Sequence, residues 1–352
     1  MKKSLIALAV LASSGAAMAQ SSVTLYGVVD TSIGYVKGQE SVSGMLNSGN
    51  ATSRLGFRGV EDLGNGLKAE FVVEGELKPD DGTASGLNFT RQSTVGLSGS
   101  FGQVRLGRAL TASYNAVSRY DLFGTVGLGS TLAWAGSQTG YQNRSDNMIS
   151  YISPKFSGFG VGVDYGFGEK KENRTGRNMG IGATYDNGPL SLGLGYDRQN
   201  NVSNTTAFGG TTLVPVLVNQ DLKSWQLGGS YNFGVAKLLA FYKNTKYNEV
   251  ATGTDTTLKT YNLGVSVPVG AAGEVKATYN NYKISDNGGK ANQFSLGYVH
   301  NMSKRTALYG TYAYLKNKDG GPFALNGAFS GVNGANNSGK MHGLQVGVRH
   351  AF

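Results

Sequence analysis

Along most of this chain every second residue is apolar. In VTLYGVVDTSIGYV, Val23, Leu25, Val29, Ile33 and Tyr35 alternate with Thr24, Asp30 and Ser32. The same period returns with Trp225, Leu227, Tyr231 and Phe233, and with Tyr261, Leu263, Val265 and Val267. A period of two predicts strands with one apolar and one polar face. Sixteen such segments follow one another: 23–36, 52–61, 67–78, 89–98, 103–109, 144–153, 159–167, 178–187, 189–199, 222–233, 235–247, 257–268, 273–284, 291–300, 305–316 and 341–352. The gaps between them alternate. DLGNG, GSFG, PKFSG, NG, FG, GAAG and NMSK are tight, whereas 110–143, 200–221 and 317–340 are long.

A soluble β-sandwich shares this alternation, but its strands usually run to about five or six residues. Ten residues rising about 3.3 Å each and tilted by about 45° cover roughly 23 Å, close to the apolar band of an outer-membrane barrel. An open sheet of sixteen strands would leave two long unpaired edges, so the last segment is expected to pair with the first. The fold class predicted is therefore all-β: one sixteen-stranded antiparallel transmembrane β-barrel, with short turns at one rim and long loops at the other. Tyr35, Tyr165, Phe167, Tyr185, Tyr196, Phe233 and Phe352 stand at stripe ends, where aromatic girdles form. A barrel of this width holds water unless something folds inward, and 110–143 is the longest gap, with enough apolar and aromatic residues in SRYDLFGTVGLGSTLAWAG to pack against the wall.

Composition places the barrel. Lys2 and Lys3, an apolar run and Ala17-Met18-Ala19 read as an export signal over 1–19, leaving 20–352 as the barrel domain. There is no cysteine, and outside the signal no run approaches eighteen apolar residues. With 54 glycines and 34 tyrosines and phenylalanines the chain favours strands over helices. Without the signal's two lysines the net charge is +8, which points to small anions or lipid headgroups. No basic helix or RNA-binding motif is present, and nucleic acid is not an expected partner.

The stretches SSVTLYGVVD, SRLGFRGVEDLGNGLKAEFVVE, RQSTVGLSGSFGQVRLGR, YISPKFSGFG and GVRHAF, in this order and spacing, resemble a Gram-negative general porin of the β-proteobacterial type. The resemblance covers essentially the whole chain after the signal. It implies an outer-membrane homotrimer of sixteen-stranded barrels, each with its third external loop folded in to narrow the pore. It further implies a constriction in which wall arginines, matched here by Arg54, Arg91 and Arg144, stand against acidic groups, matched by Asp121 on the loop and Glu70 on the wall. Period two adds Arg58 to the face of Arg54, and Lys68 and Glu74 to the face of Glu70. For Arg91 two readings conflict. If Val95 and Leu97 face lipid, alternation turns Arg91 to lipid too, at a cost of roughly 2–4 kcal/mol, whereas the resemblance puts it in the lumen. The resemblance also gives Phe352 a role: an outer-membrane strand ending in Phe is read by the barrel-insertion machinery.

Such a neck would concentrate anions and order water by its transverse field. At physiological salt the Debye length is about 8 Å, so a weak, salt-sensitive anion preference is expected of a general diffusion pore for small hydrophilic solutes. A closed barrel acting as an adhesin is the alternative, and a stable open conductance level separates the two. Enzymatic chemistry is not expected. Only His300, His342 and His350 could serve as bases, and no GxSxG occurs. No cofactor or metal site is expected, since cysteine is absent and no histidines stand at ligand spacing. The charge run EKKENRTGR at 169–177 reads as a solvated loop in contact with lipopolysaccharide.

Overall fold

A computed structural model describes residues 22–82, 88–202, 220–249, 253, 255–285, 288–332 and 334–352. The expected export signal at 1–19 and most of the 200–221 loop lie outside these residues. The chain forms one closed antiparallel barrel. Its strands are β1 (Ser22–Lys37), β2 (Ser41–Asn47), β3 (Arg54–Gly64), β4 (Leu67–Glu76), β5 (Gln92–Gly99), β6 (Gly102–Leu110), β7 (Arg144–Ile152), β8 (Phe159–Gly166), β9 (Asn178–Asn187), β10 (Leu190–Val202), β11 (Gln220–Asn232), β12 (Lys237–Glu249), β13 (Asp255–Val269), β14 (Gly273–Ile284), β15 (Lys290–Asn301), β16 (Thr306–Lys318) and β17 (Lys340–Ala351). The seam closes between β1 and β17, from Val28 opposite Ala351 to Lys37 opposite His342.

Seventeen segments make sixteen staves, because β2 and β3 are two halves of one. β1 pairs with β2 over Thr31–Lys37 and with β3 over Ser22–Val28, so only two of its residues stand opposite residues 48–53. Those six residues leave the wall and tuck inward around Asp30. Its carboxylate accepts the backbone N–H groups of Gly49, Asn50 and Ala51 at 3.1, 3.0 and 2.6 Å and the Tyr309 hydroxyl at 2.6 Å. The alternation expected for this stave is correct for β3, but β2 was not among the expected segments: SVSGMLN carries few apolar residues.

The alternation sorts the wall as predicted. Ile33, Leu263, Val346 and Leu227 are exposed on the outside, while Ser32, Asn262, Gln345 and Gln226 face in and are buried. The buried face exists because segment 111–143 fills part of the lumen. It begins with a short helix α1 (Ala112–Val117), where the Thr111 hydroxyl caps Tyr114 N–H at 3.3 Å, and includes a second, α2 (Gly136–Thr139). Leu128, Leu132, Trp134 and Tyr141 of this segment are buried.

Wall glycines make room for it. A Cβ at Gly182 or Gly193 would strike the α1 backbone, one at Gly228 the Tyr120 ring, and one at Gly343 the Leu128 side chain at 2.9 Å. In a sheet, glycine sacrifices stability for such close approach. The apolar residues expected to pack 111–143 against the wall do so along this trough.

Candidate functional site

The loop 111–143 is pinned along β10 to β17. Trp134 Nε1 donates to Gln226 Oε1 at 3.0 Å, Lys243 Nζ donates to Ala133 O at 2.8 Å and lies 3.2 Å from the Tyr141 ring centroid, and Tyr282 Oη accepts Leu132 N–H at 3.0 Å. Ser113 and Tyr141 both donate to Asp197, at 2.7 and 2.9 Å. These contacts use charge and hydrogen bonds where water would otherwise enter. At the loop's turn, Leu128 N–H reaches Gln345 Oε1 at 3.4 Å, and Gln345 Nε2 donates to Gly49 O of the tuck at 2.9 Å. The loop and the tuck are thereby joined, and together they narrow the lumen from one side.

Beside the tuck the wall is basic, and Arg54 Nη1 donates to Thr52 O of the tuck at 2.9 Å. Glu74 on β4 is its centre, accepting Arg91 Nε at 2.7 Å, standing 3.4 Å from Arg54 Nε and accepting the Tyr26 hydroxyl at 3.0 Å. Arg144 Nε donates to the Arg91 carbonyl at 2.7 Å. Arg349 Nη1 donates to Asn50 Oδ1 of the tuck at 2.9 Å, whereas Arg108, opposite Ser93 and in phase with the exposed Leu106, pairs with Asp146 on the outer face. Arg54 shares the lumenal face of Tyr26 and Glu74 through the register of β1, β3 and β4. Arg58 keeps that face four residues nearer the short turns, with its guanidinium 5.4 Å from the Tyr26 ring.

The conflict over Arg91 is resolved by where β5 begins. The strand starts at Gln92, so Arg91 lies in the preceding bend, outside the alternation, and its N–H bonds Glu74 O at 3.0 Å while its side chain turns to the Glu74 carboxylate.

Three expected constriction residues lie elsewhere. Glu70 is four residues from Glu74 toward the short turn at 65–66, where it accepts hydrogen bonds from Ser98 and Gln103; the rise of the strand removes it from the arginines. Lys68 is nearer still to that turn, exposed opposite Asp62. Asp121 is on the loop as expected, but it is buried and faces its own backbone, accepting the N–H groups of Phe123, Thr125 and Thr131 at 3.1 Å each. Burial pushes its carboxyl up to about 6. Since Asp121 is the one carboxylate in 111–143 and it faces its own backbone, the loop turns no acid to the lumen. Glu74, Arg349 and the tuck were not among the expected constriction residues. Only Glu74 left a trace in the alternation, as a partner of Glu70's face.

The family model described as Gram-negative porin matches residues 4–320. The chain is 50% identical over 364 residues to outer membrane porin protein 32 of Delftia acidovorans, a match covering 100% of both chains. It is 35% identical over 409 residues to an outer membrane porin protein of Bordetella pertussis, again over 100% of each. Among solved structures, an anion-selective porin from Comamonas acidovorans superposes with a TM-score of 0.81 at 45% identity, over 95% of this chain and 100% of that one. Salmonella typhi OmpF, at 17% identity and a TM-score of 0.68 over 94% and 97% of the two chains, shares the fold.

Proposed function

We propose, for a chain that belongs to the Gram-negative porin family, that its neck passes small hydrophilic solutes with a weak preference for anions. The protein is an outer-membrane general diffusion porin; the ion preference and the residues behind it are our reading. One observation carries it. Arg54, Arg91 and Arg144 gather on the wall around a single carboxylate, Glu74, while the loop's only carboxylate is turned into its own backbone. A neck with more fixed cations than anions raises the local anion concentration, and water at both mouths screens it. The named anion selectivity of the Comamonas porin supports the same sign.

Planar-bilayer measurements under a salt gradient test it. The reversal potential takes the anion sign, shrinks as salt rises and moves toward zero in Arg54→Gln, Arg91→Gln and Arg144→Gln. A cation preference in the unaltered protein overturns the reading.

The same reading includes an export signal at 1–19, a barrel domain at 20–352, no enzymatic activity, Phe352 as the residue met by the insertion machinery, and contact with outer-membrane lipid and lipopolysaccharide. It also includes a homotrimer. Strands β5 to β8 have only 8 or 9 residues, against 12 to 15 in β11 to β17. Eight tilted residues span about 19 Å, short of the roughly 25 Å apolar band. Neighbouring copies seated against this low side would cover the mismatch.

A further inference from the structure

The outside of the tall wall carries an arrangement that the pore does not use. Lys259 stands directly opposite Lys283, Lys283 opposite Lys290, and Lys290 opposite Lys318, one on each of four adjacent strands β13 to β16. All four are exposed. They lie on the outer face, since Lys259 is in phase with the exposed Tyr261 and Leu263, and Lys290 with the exposed Phe294 and Leu296. They also lie at the rim that carries the long loops, at the ends remote from the short turns 270–272 and 302–305. Four residues nearer mid-wall than Lys283, Tyr279, Phe294 and Tyr314 form a parallel aromatic rung in the same direct register.

Like charges placed directly across a sheet destabilise it. Elsewhere on this rim the cost is offset by acids: Arg198 pairs with Asp221 at 3.4 Å and Lys246 with Asp255 at 2.6 Å. On the ladder, Asp319 reaches Lys290 at 2.9 Å, and among the described residues Lys259, Lys283 and Lys318 have no ion pair. An open cleft of about 640 Å³ separates the side chains, lined by Lys259, Lys283 and Lys290 with Thr257, Ser285 and Asp319. The ladder spans about 14 Å, three interstrand steps, which exceeds one phosphate and suits an extended headgroup bearing several.

We propose that this lysine ladder is a binding site for the phosphorylated headgroup of an outer-leaflet lipid. The aromatic rung sets the depth, because such rings settle at the headgroup level and leave the ladder just above it, where the lipid's phosphates are. The occupant is a lipid rather than free anion because the cleft opens outward, with an apolar wall below it to receive acyl chains. The proposal rests on the outer-membrane setting and not on the ion preference of the neck. It moves the expected lipopolysaccharide contact from the loop 169–177 to the wall.

The test uses the full-length protein in detergent and titrates lipopolysaccharide, the same lipopolysaccharide after phosphatase treatment, and inorganic phosphate. The triple variant Lys259→Gln, Lys283→Gln, Lys290→Gln is expected to bind the phosphorylated lipid at least tenfold more weakly, while the triple Lys→Arg variant retains binding. Dephosphorylated lipid should bind the unaltered protein no better than the Gln variant binds the intact lipid. Unchanged lipid affinity in the Gln variant overturns the proposal. So does displacement of the lipid by a few millimolar inorganic phosphate, which would make the ladder a free-anion site. Single-channel conductance and reversal potential of the Gln variant should match the unaltered protein. A shifted reversal potential would assign the ladder to the pore and overturn the lipid site without touching the reading of the neck.

Discussion

Glu74 holds two guanidiniums and a phenol at once, so its removal affects both charge and position. Glu74→Gln should raise the anion-to-cation permeability ratio roughly twofold by uncovering Arg54 and Arg91, measured as a reversal potential at low salt. Asp121 makes a different prediction. Its carboxyl is raised from 3.8 to about 6 in the seated loop, so that state takes up a proton more readily than the released one. The stability this contributes is fully present below about pH 4 and is lost as pH rises through 6, on the order of 3 kcal/mol. Amide exchange at Thr125 and Thr131, corrected for its intrinsic pH dependence, should lose protection over that range and become flat in Asp121→Asn. At this scale the sequence was most informative where alternation applied. Arg54 and Arg58 were legible because they lie within β3, whereas the place of Arg91 depended on a strand that begins at Gln92, three residues later than the expected start at 89. Glu70 and Glu74 share a face, and only the strand register, with its rise of about 3.3 Å per residue, decides which meets the arginines.

The loop 111–143 and the trough beneath it form a matched pair of elements. Gly228 lies under Tyr120, and Gly228→Val would force the ring from its seat at a packing cost of about 1–3 kcal/mol. Single-channel traces of that variant should show a higher mean conductance and added noise, with no loss of folded barrel. The length and apolar content of the loop revealed that it packs inward. The trough was not legible, because glycine on a strand's polar face reads equally as flexibility, weak pairing or clearance. Nor was β2, whose polar SVSG start resembles a loop and whose strand character comes from pairing with β1.

For the whole molecule, the count of sixteen staves and their threading followed from a repeat of ten or so residues and the alternation of short and long gaps. Long-range closure was inferred from the cost of open edges, and it occurs between the last strand and the first, ending where Phe352 and Gly27 exchange backbone hydrogen bonds at 3.0 and 3.1 Å. The Phe352 ring covers Gly27, so Phe352→Ala should lower the yield of assembled barrel several-fold, as read by heat-modifiable gel mobility, while Phe352→Tyr should keep it. The tuck at 48–53 bears on how such a channel can be altered. Because β1 holds both halves of the interrupted stave in fixed register and Asp30 holds the backbone of 49–51, the side chains of Ala51 and Thr52 can change without disturbing either ladder. The barrel therefore carries an interchangeable facing on one jaw of its neck, fitted to a cylinder that need not be rebuilt around it.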